Sequence, residues 1–146
     1  MADTTEFSGL TLQIVTPTEL FVDTTVDMVT LAGAEGDFGV LPGHSPFFTA
    51  LRPGIVRFEE GGMPRAYSVS GGYVEVNQRG VTVLARTCEG KDDIDVERAK
   101  RAMEAAHNRV SSIVAGDPER EAAEFELARA EIRIELAQGS HTTYGG

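Results

Sequence analysis

The chain has 146 residues, 41% of them apolar, which is enough for one full domain or a compact domain with an appendage. Its formal charge of -10 is spread over both halves: residues 1–90 carry five basic against eleven acidic side chains, and residues 91–146 eight against twelve. That balance makes polyanions poor partners and leaves no basic patch for nucleic acid, and no apolar run approaches the ~20 residues that direct membrane insertion requires.

Cys88 is the only cysteine, so neither a disulfide framework nor a thiolate metal cluster can form. The start "MADTTEFSG" lacks the basic and apolar regions of a leader, and the expectation is a chain neither secreted nor imported.

From Leu10 to about Ala85 apolar residues tend to alternate, as strands require: Leu10, Leu12 and Ile14, then Val26 to Leu31, Ile55 to Phe58, Ala66 to Val69, Tyr73 to Val76, and Val81 with Val83. Gly61-Gly62, Gly71-Gly72 and Gln78-Arg79-Gly80 punctuate them. Many short strands without intervening helices predict a compact antiparallel sandwich or barrel over residues 1–90.

After "CEGKDD" the period changes. Val96, Ala99, Met103, Ala106, Val110 and Ile113 step by three and four, which predicts one apolar helix face, with Asp93 or Asp95 as N-cap and Gly116 to end it. Asp117-Pro118 starts a second helix with the stripe Ala122, Phe125, Ala128, Ile132 and Leu136, closed by Gly139. So short a connection makes residues 91–146 an antiparallel hairpin, with the polar tail "SHTTYGG" expected to fray.

The sharp-looking local motifs have plain readings. "DFG" at Asp37 to Gly39 lacks the strand lysine and catalytic loop of a kinase, since the first lysine of the chain is Lys91. His44 as a metal ligand, in a small jelly-roll metalloprotein, would need clustered partners, whereas His107 and His141 fall on the first helix and in the tail. "DDID" at Asp92 to Asp95 lacks the glycine of a calcium loop, and Cys88 has no activating base nearby in sequence. These residues point to no catalytic site and no metal.

"LAGAEGDFGVLPGHSPFFTALRPG", with "SVSGGYVEV", "VTVLA" and "IDVERA", closely resembles the epsilon subunit of bacterial rotary ATP synthases, the counterpart of the chloroplast epsilon and mitochondrial delta subunits. The likeness runs in order from about residue 10 to 138 and includes the spacing Gly-x-x-Gly-x-x-Gly-x-x-Pro-Gly-His-x-Pro. It implies a β-sandwich of about ten strands followed by two helices, in a non-catalytic rotor subunit between the c-ring and the catalytic head of alpha and beta subunits. The sandwich would pack on gamma, on the cytoplasmic face of the bacterial inner membrane, coupling a proton or sodium flow to synthesis. Glu35, Gly36, Asp37 and His44 would face the c-ring from tight corners that Phe38, Phe47 and Phe48 anchor in the core.

The same resemblance makes the hairpin a regulator of ATP hydrolysis, packed beside the sandwich in one state and extended along gamma in another. Some relatives bind ATP there; the matching positions are Ile94, Asp95, Arg98 and Ala99 on the first helix with Arg129 and Arg133 on the second. A free-standing ATP-sensing domain is the rival use of that arginine pair. This chain carries Ala105 where such relatives often have a base, and seven acids against three arginines over residues 117–146. Read locally, Glu126 offers Arg129 a partner three residues away, while the only charged neighbour of Arg133 on its face is Arg129, so Arg133 calls for an anion or an acid from the facing helix.

Overall fold

A computed structural model describes residues 9–139. The leader reading and the tail fall outside these residues, as does His141.

Eight strands come first: β1 (Leu10–Val15), β2 (Leu20–Val26), β3 (Val29–Gly33), β4 (Gly36–Val40), β5 (Phe47–Leu51), β6 (Gly54–Glu60), β7 (Met63–Val76) and β8 (Gly80–Gly90). Their order is β2-β1-β8-β7-β5-β3-β4, and β6 bridges β3 and β7. All ladders are antiparallel except β1 with β8, which joins the two ends of the strand-rich half. The inward positions form one core that includes Leu12, Ile14, Val29, Phe58, Val74 and Val83.

The fold matches the expected sandwich, with the long strands counted differently. The runs Ala66 to Val69 and Tyr73 to Val76 are two halves of β7: the first pairs β6, the second pairs β5. Gly71 and Gly72, at φ +72 and +115, bend the strand between them instead of ending it, and the register against β8 is the same on both sides. Counted as halves, β7 and β8 bring the eight strands to the expected ten. Conversely, the run Val26 to Leu31 is broken at Asp27 and Met28 into the end of β2 and the start of β3.

A single 3-10 turn at Lys91–Asp93 leads to α1 (Val96–Ser112) and α2 (Pro118–Gln138). Asp95 caps α1 by accepting from the Arg98 amide at 3.1 Å, and Asp117 caps α2 by accepting from the Glu119 amide at 2.9 Å, with Pro118 in the first turn. The first helix ends at Ser112, a turn earlier than expected, and Gly116, at φ +94, shapes the connection. Arg120 of α2 donates to the carbonyls of Val110 and Ile113, and Arg109 pairs with Glu126 at 2.5 Å, so the helices run antiparallel.

Every residue of the expected α1 stripe is buried or half-buried. On α2 the stripe shifts: Ala122 is exposed, while Ala123, Ala130, Arg133 and Leu136 are buried. The physical reason is that α2 is covered on two sides, by α1 and by the β6–β7 part of the sandwich, so a single-face pattern does not describe it.

Candidate functional site

Three surfaces gather the residues singled out above. The first is the β3–β4 corner. Gly33 pairs with Gly36 across a two-residue turn, which leaves Ala34 and Glu35 at the tip, and the Ala34 amide ties that tip to the Ala50 carbonyl at 2.9 Å. Gly36 takes φ +139 there. Glu35 and Asp37 are exposed, but Asp37 is paired with Arg52, a partner fifteen residues away that local spacing does not reveal.

His44 is exposed in the turn after β4, where its Nδ1 donates to the Ser45 carbonyl at 3.0 Å. Its ring lies 5.2 Å from that of Phe47, which also meets Phe38 edge-on at 5.4 Å. Phe47 thus links the two corners, and Phe38 and Phe47 anchor them to the core. Phe48 does not: strand alternation turns it outward, 60% exposed, and it stacks on Tyr73 at 5.4 Å.

That outward turn creates the second surface. Ala50 pairs with Tyr73, Tyr73 with Leu84, Leu84 with Val15 and Val15 with Leu20, so one row of apolar side chains crosses five neighbouring strands. Tyr73 is 50% exposed, Leu84 44% and Leu20 53%. A contiguous apolar patch on a small domain marks a binding face. Its signal in the sequence was Leu84, an apolar residue at an outward position between inward Val83 and Ala85. Beside the row a groove of about 470 Å³, lined by Val15, Pro17, Tyr73, Leu84, Arg86 and Phe125, separates the sandwich from α2.

The third surface is where the hairpin meets the sandwich. Arg133 is 8% exposed, and it donates from Nε to Glu89 Oε1 at 2.7 Å and from Nη2 to Oε2 at 3.2 Å. The acid expected from the facing helix comes instead from the end of β8. Phe125 lies over Gly71, with the Arg86 guanidinium 5.3 Å from its ring centre. Arg57 reaches Glu135 at 3.7 Å.

Of the positions matched to an ATP site, Ile94 and Ala99 are buried in packing, Asp95 is the α1 cap and Arg133 is held by Glu89. Glu126, expected to serve Arg129, pairs with Arg109. Arg98 is exposed and Arg129 half-buried, and neither forms an ion pair among the described residues. A second cleft of about 500 Å³, lined by Arg57, Arg65, Tyr67, Lys91 and Leu136, lies at the foot of α2. Neither cleft is lined by Asp95, Arg98 or Arg129.

Cys88 sits in the sandwich core, where burial pushes its thiol up to about 12, so it is a packing group and not a nucleophile. Among the described residues no three of His, Cys, Asp and Glu gather to hold a metal, and no helix is long and apolar enough to cross a membrane.

A sandwich that displays an apolar row and carries a helical pair docked on its side is an interaction module of a larger assembly. The family described as ATP synthase, Delta/Epsilon chain, beta-sandwich domain, matches residues 9–91, and its long alpha-helix domain matches residues 92–138. An ATP synthase epsilon chain of Anaeromyxobacter sp. (strain Fw109-5) is 44% identical over 129 residues, covering 88% of this chain and 98% of that one. One from Desulforamulus reducens is 40% identical over 126 residues, covering 86% and 89%. A chain in the Euglena gracilis mitochondrial ATP synthase structure, OSCP/F1/c-ring in rotational state 1, superposes with a TM-score of 0.74 at 28% identity, covering 89% of this chain and 81% of that one. The chain belongs to the delta/epsilon chain family of ATP synthase, whose members are non-catalytic subunits of that enzyme.

Proposed function

We propose that the chain is a central-stalk rotor subunit that couples the c-ring to gamma. The observation that carries this reading is the exposed apolar row from Ala50 through Tyr73 and Leu84 to Leu20, with Phe48 stacked on it. Gamma covers this face. A joint that transmits torque must not slip, and side chains standing on a hydrogen-bonded sheet hold their positions better than side chains on loops.

The corners carrying Glu35, Gly36, Asp37 and His44 meet the polar loops of the c-ring. Their rigidity comes from Phe47 and from the Ala34 to Ala50 bond. The strand-rich half to residue 90 is the coupling unit, and the hairpin from residue 91 regulates ATP hydrolysis by the catalytic head. The chain works at the cytoplasmic face of a bacterial inner membrane as a peripheral member of the complex, and the choice of proton or sodium belongs to other subunits.

Affinity purification of the full tagged chain from membranes tests the reading. Gamma and the c-ring are expected to co-purify in fixed stoichiometry and to survive a salt wash, since an apolar face is little screened by salt. Recovery of the chain alone would overturn the proposal.

A further inference from the structure

The face of the sandwich under α2 differs from the apolar row. Ser68 and Ser70, at 4% and 3% exposed, stand opposite the core-facing Val69, and the Ser70 hydroxyl contacts that of Thr87. By helical spacing the buried Ala123 and Ala130 stand on the side of α2 turned to α1, with Glu126, and not on that of Phe125 and Leu136. Apolar side chains help close this interface, Phe125 over Gly71 and Leu136 at the foot. The hydroxyl groups of Ser68 and Ser70 bury little apolar area, so their part of the contact gains little from the hydrophobic effect.

Between Phe125 and Leu136 lies Arg133. A guanidinium so buried must be matched, and Glu89 matches it with both carboxylate oxygens in the forked geometry that arginine favours. Glu89 is the penultimate residue of β8, just before the turn through which the hairpin leaves the sandwich. The pair spans 44 positions of the chain and closes the whole hairpin into a loop.

We infer that Arg133 and Glu89 form a built-in latch that holds the hairpin on the sandwich without any ligand, the Glu89 carboxylate taking the place of a bound anion. The inference deepens the regulatory part of the reading above and is testable in the isolated chain, whether or not gamma docks as proposed.

The test is the alkylation rate of the thiol introduced by Ser70→Cys, which is covered while the hairpin is packed. Cys88, buried in the core whatever the hairpin does, reports unfolding in the same sample. In this background Glu89→Gln and Arg133→Met are each expected to speed alkylation at least about tenfold, because each leaves the other charge uncompensated in the packed state. The exchanged pair, Glu89→Arg with Arg133→Glu, is expected to recover most of the protection. Reading both single variants guards against one of them exposing Cys88 through unfolding. Rates that match the parent in both, or no recovery in the exchanged pair, would each overturn the latch.

Discussion

Tyr73→Asp combined with Leu84→Asp is expected to abolish association with gamma while leaving the isolated chain folded. Both side chains stand on the outward face, paired directly across β7 and β8, and each is about half exposed. In the free chain the change adds two charges to a solvated face, which costs little stability. In the proposed complex the same positions lie under gamma. Truncating a central aromatic anchor there costs about 2 kcal/mol or more, and burying unpaired carboxylates adds to it. A combined loss of roughly 3–4 kcal/mol corresponds to a weakening of a few hundredfold, readable by calorimetry with purified gamma. Unchanged affinity in a variant with a normal melting curve would remove the apolar row from the interface.

The second large effect concerns the bend in β7. Gly72→Ala is expected to destabilise the sandwich by roughly 3–5 kcal/mol, from a strained backbone conformation and from overpacking in about equal parts. Gly72 sits at φ +115, and a Cβ there would lie 2.1 Å from the Leu84 carbonyl oxygen and 2.9 Å from the Ala85 Cα. Both are backbone atoms of the paired strand, so nothing yields without breaking the ladder between β7 and β8. The melting temperature should fall by roughly 10–20 °C. Gly43→Ala is the control: its φ is +86, but nothing lies within 4 Å of the added methyl, so only the conformational cost of about 1–2 kcal/mol applies. Equal losses in the two variants would show that close approach of β8 contributes nothing.

These two effects also mark what could be read before the fold was known. Gly71-Gly72 was visible as punctuation, but glycine signals a special backbone shape without saying whether it ends a strand or bends one. Only the unbroken register against β8 settles that it bends. The α1 stripe was legible in full because that helix buries one face. The α2 stripe slipped because the helix is covered on two sides, and a periodicity argument assumes one.

The site was less legible than the fold, for a reason of distance along the chain. Local spacing raised the question of what balances Arg133, and the answer, Glu89, lies 44 residues away on a strand. Arg52 beside Asp37 was hidden in the same way. Phe48 was read as a core anchor with Phe38 and Phe47, yet adjacent strand residues point to opposite faces, and Phe47 already held the inward place. That misplaced phenylalanine belongs to the apolar row, which the functional reading rests on.

Hydrogen exchange of the full chain, alone and bound to purified gamma, tests that reading most directly. Added protection is expected to concentrate in residues 47–51, 73–76 and 82–84, in the strands that carry Phe48, Tyr73 and Leu84. Binding that leaves those segments unchanged and protects α1 and α2 alone, or no binding at all, would contradict it.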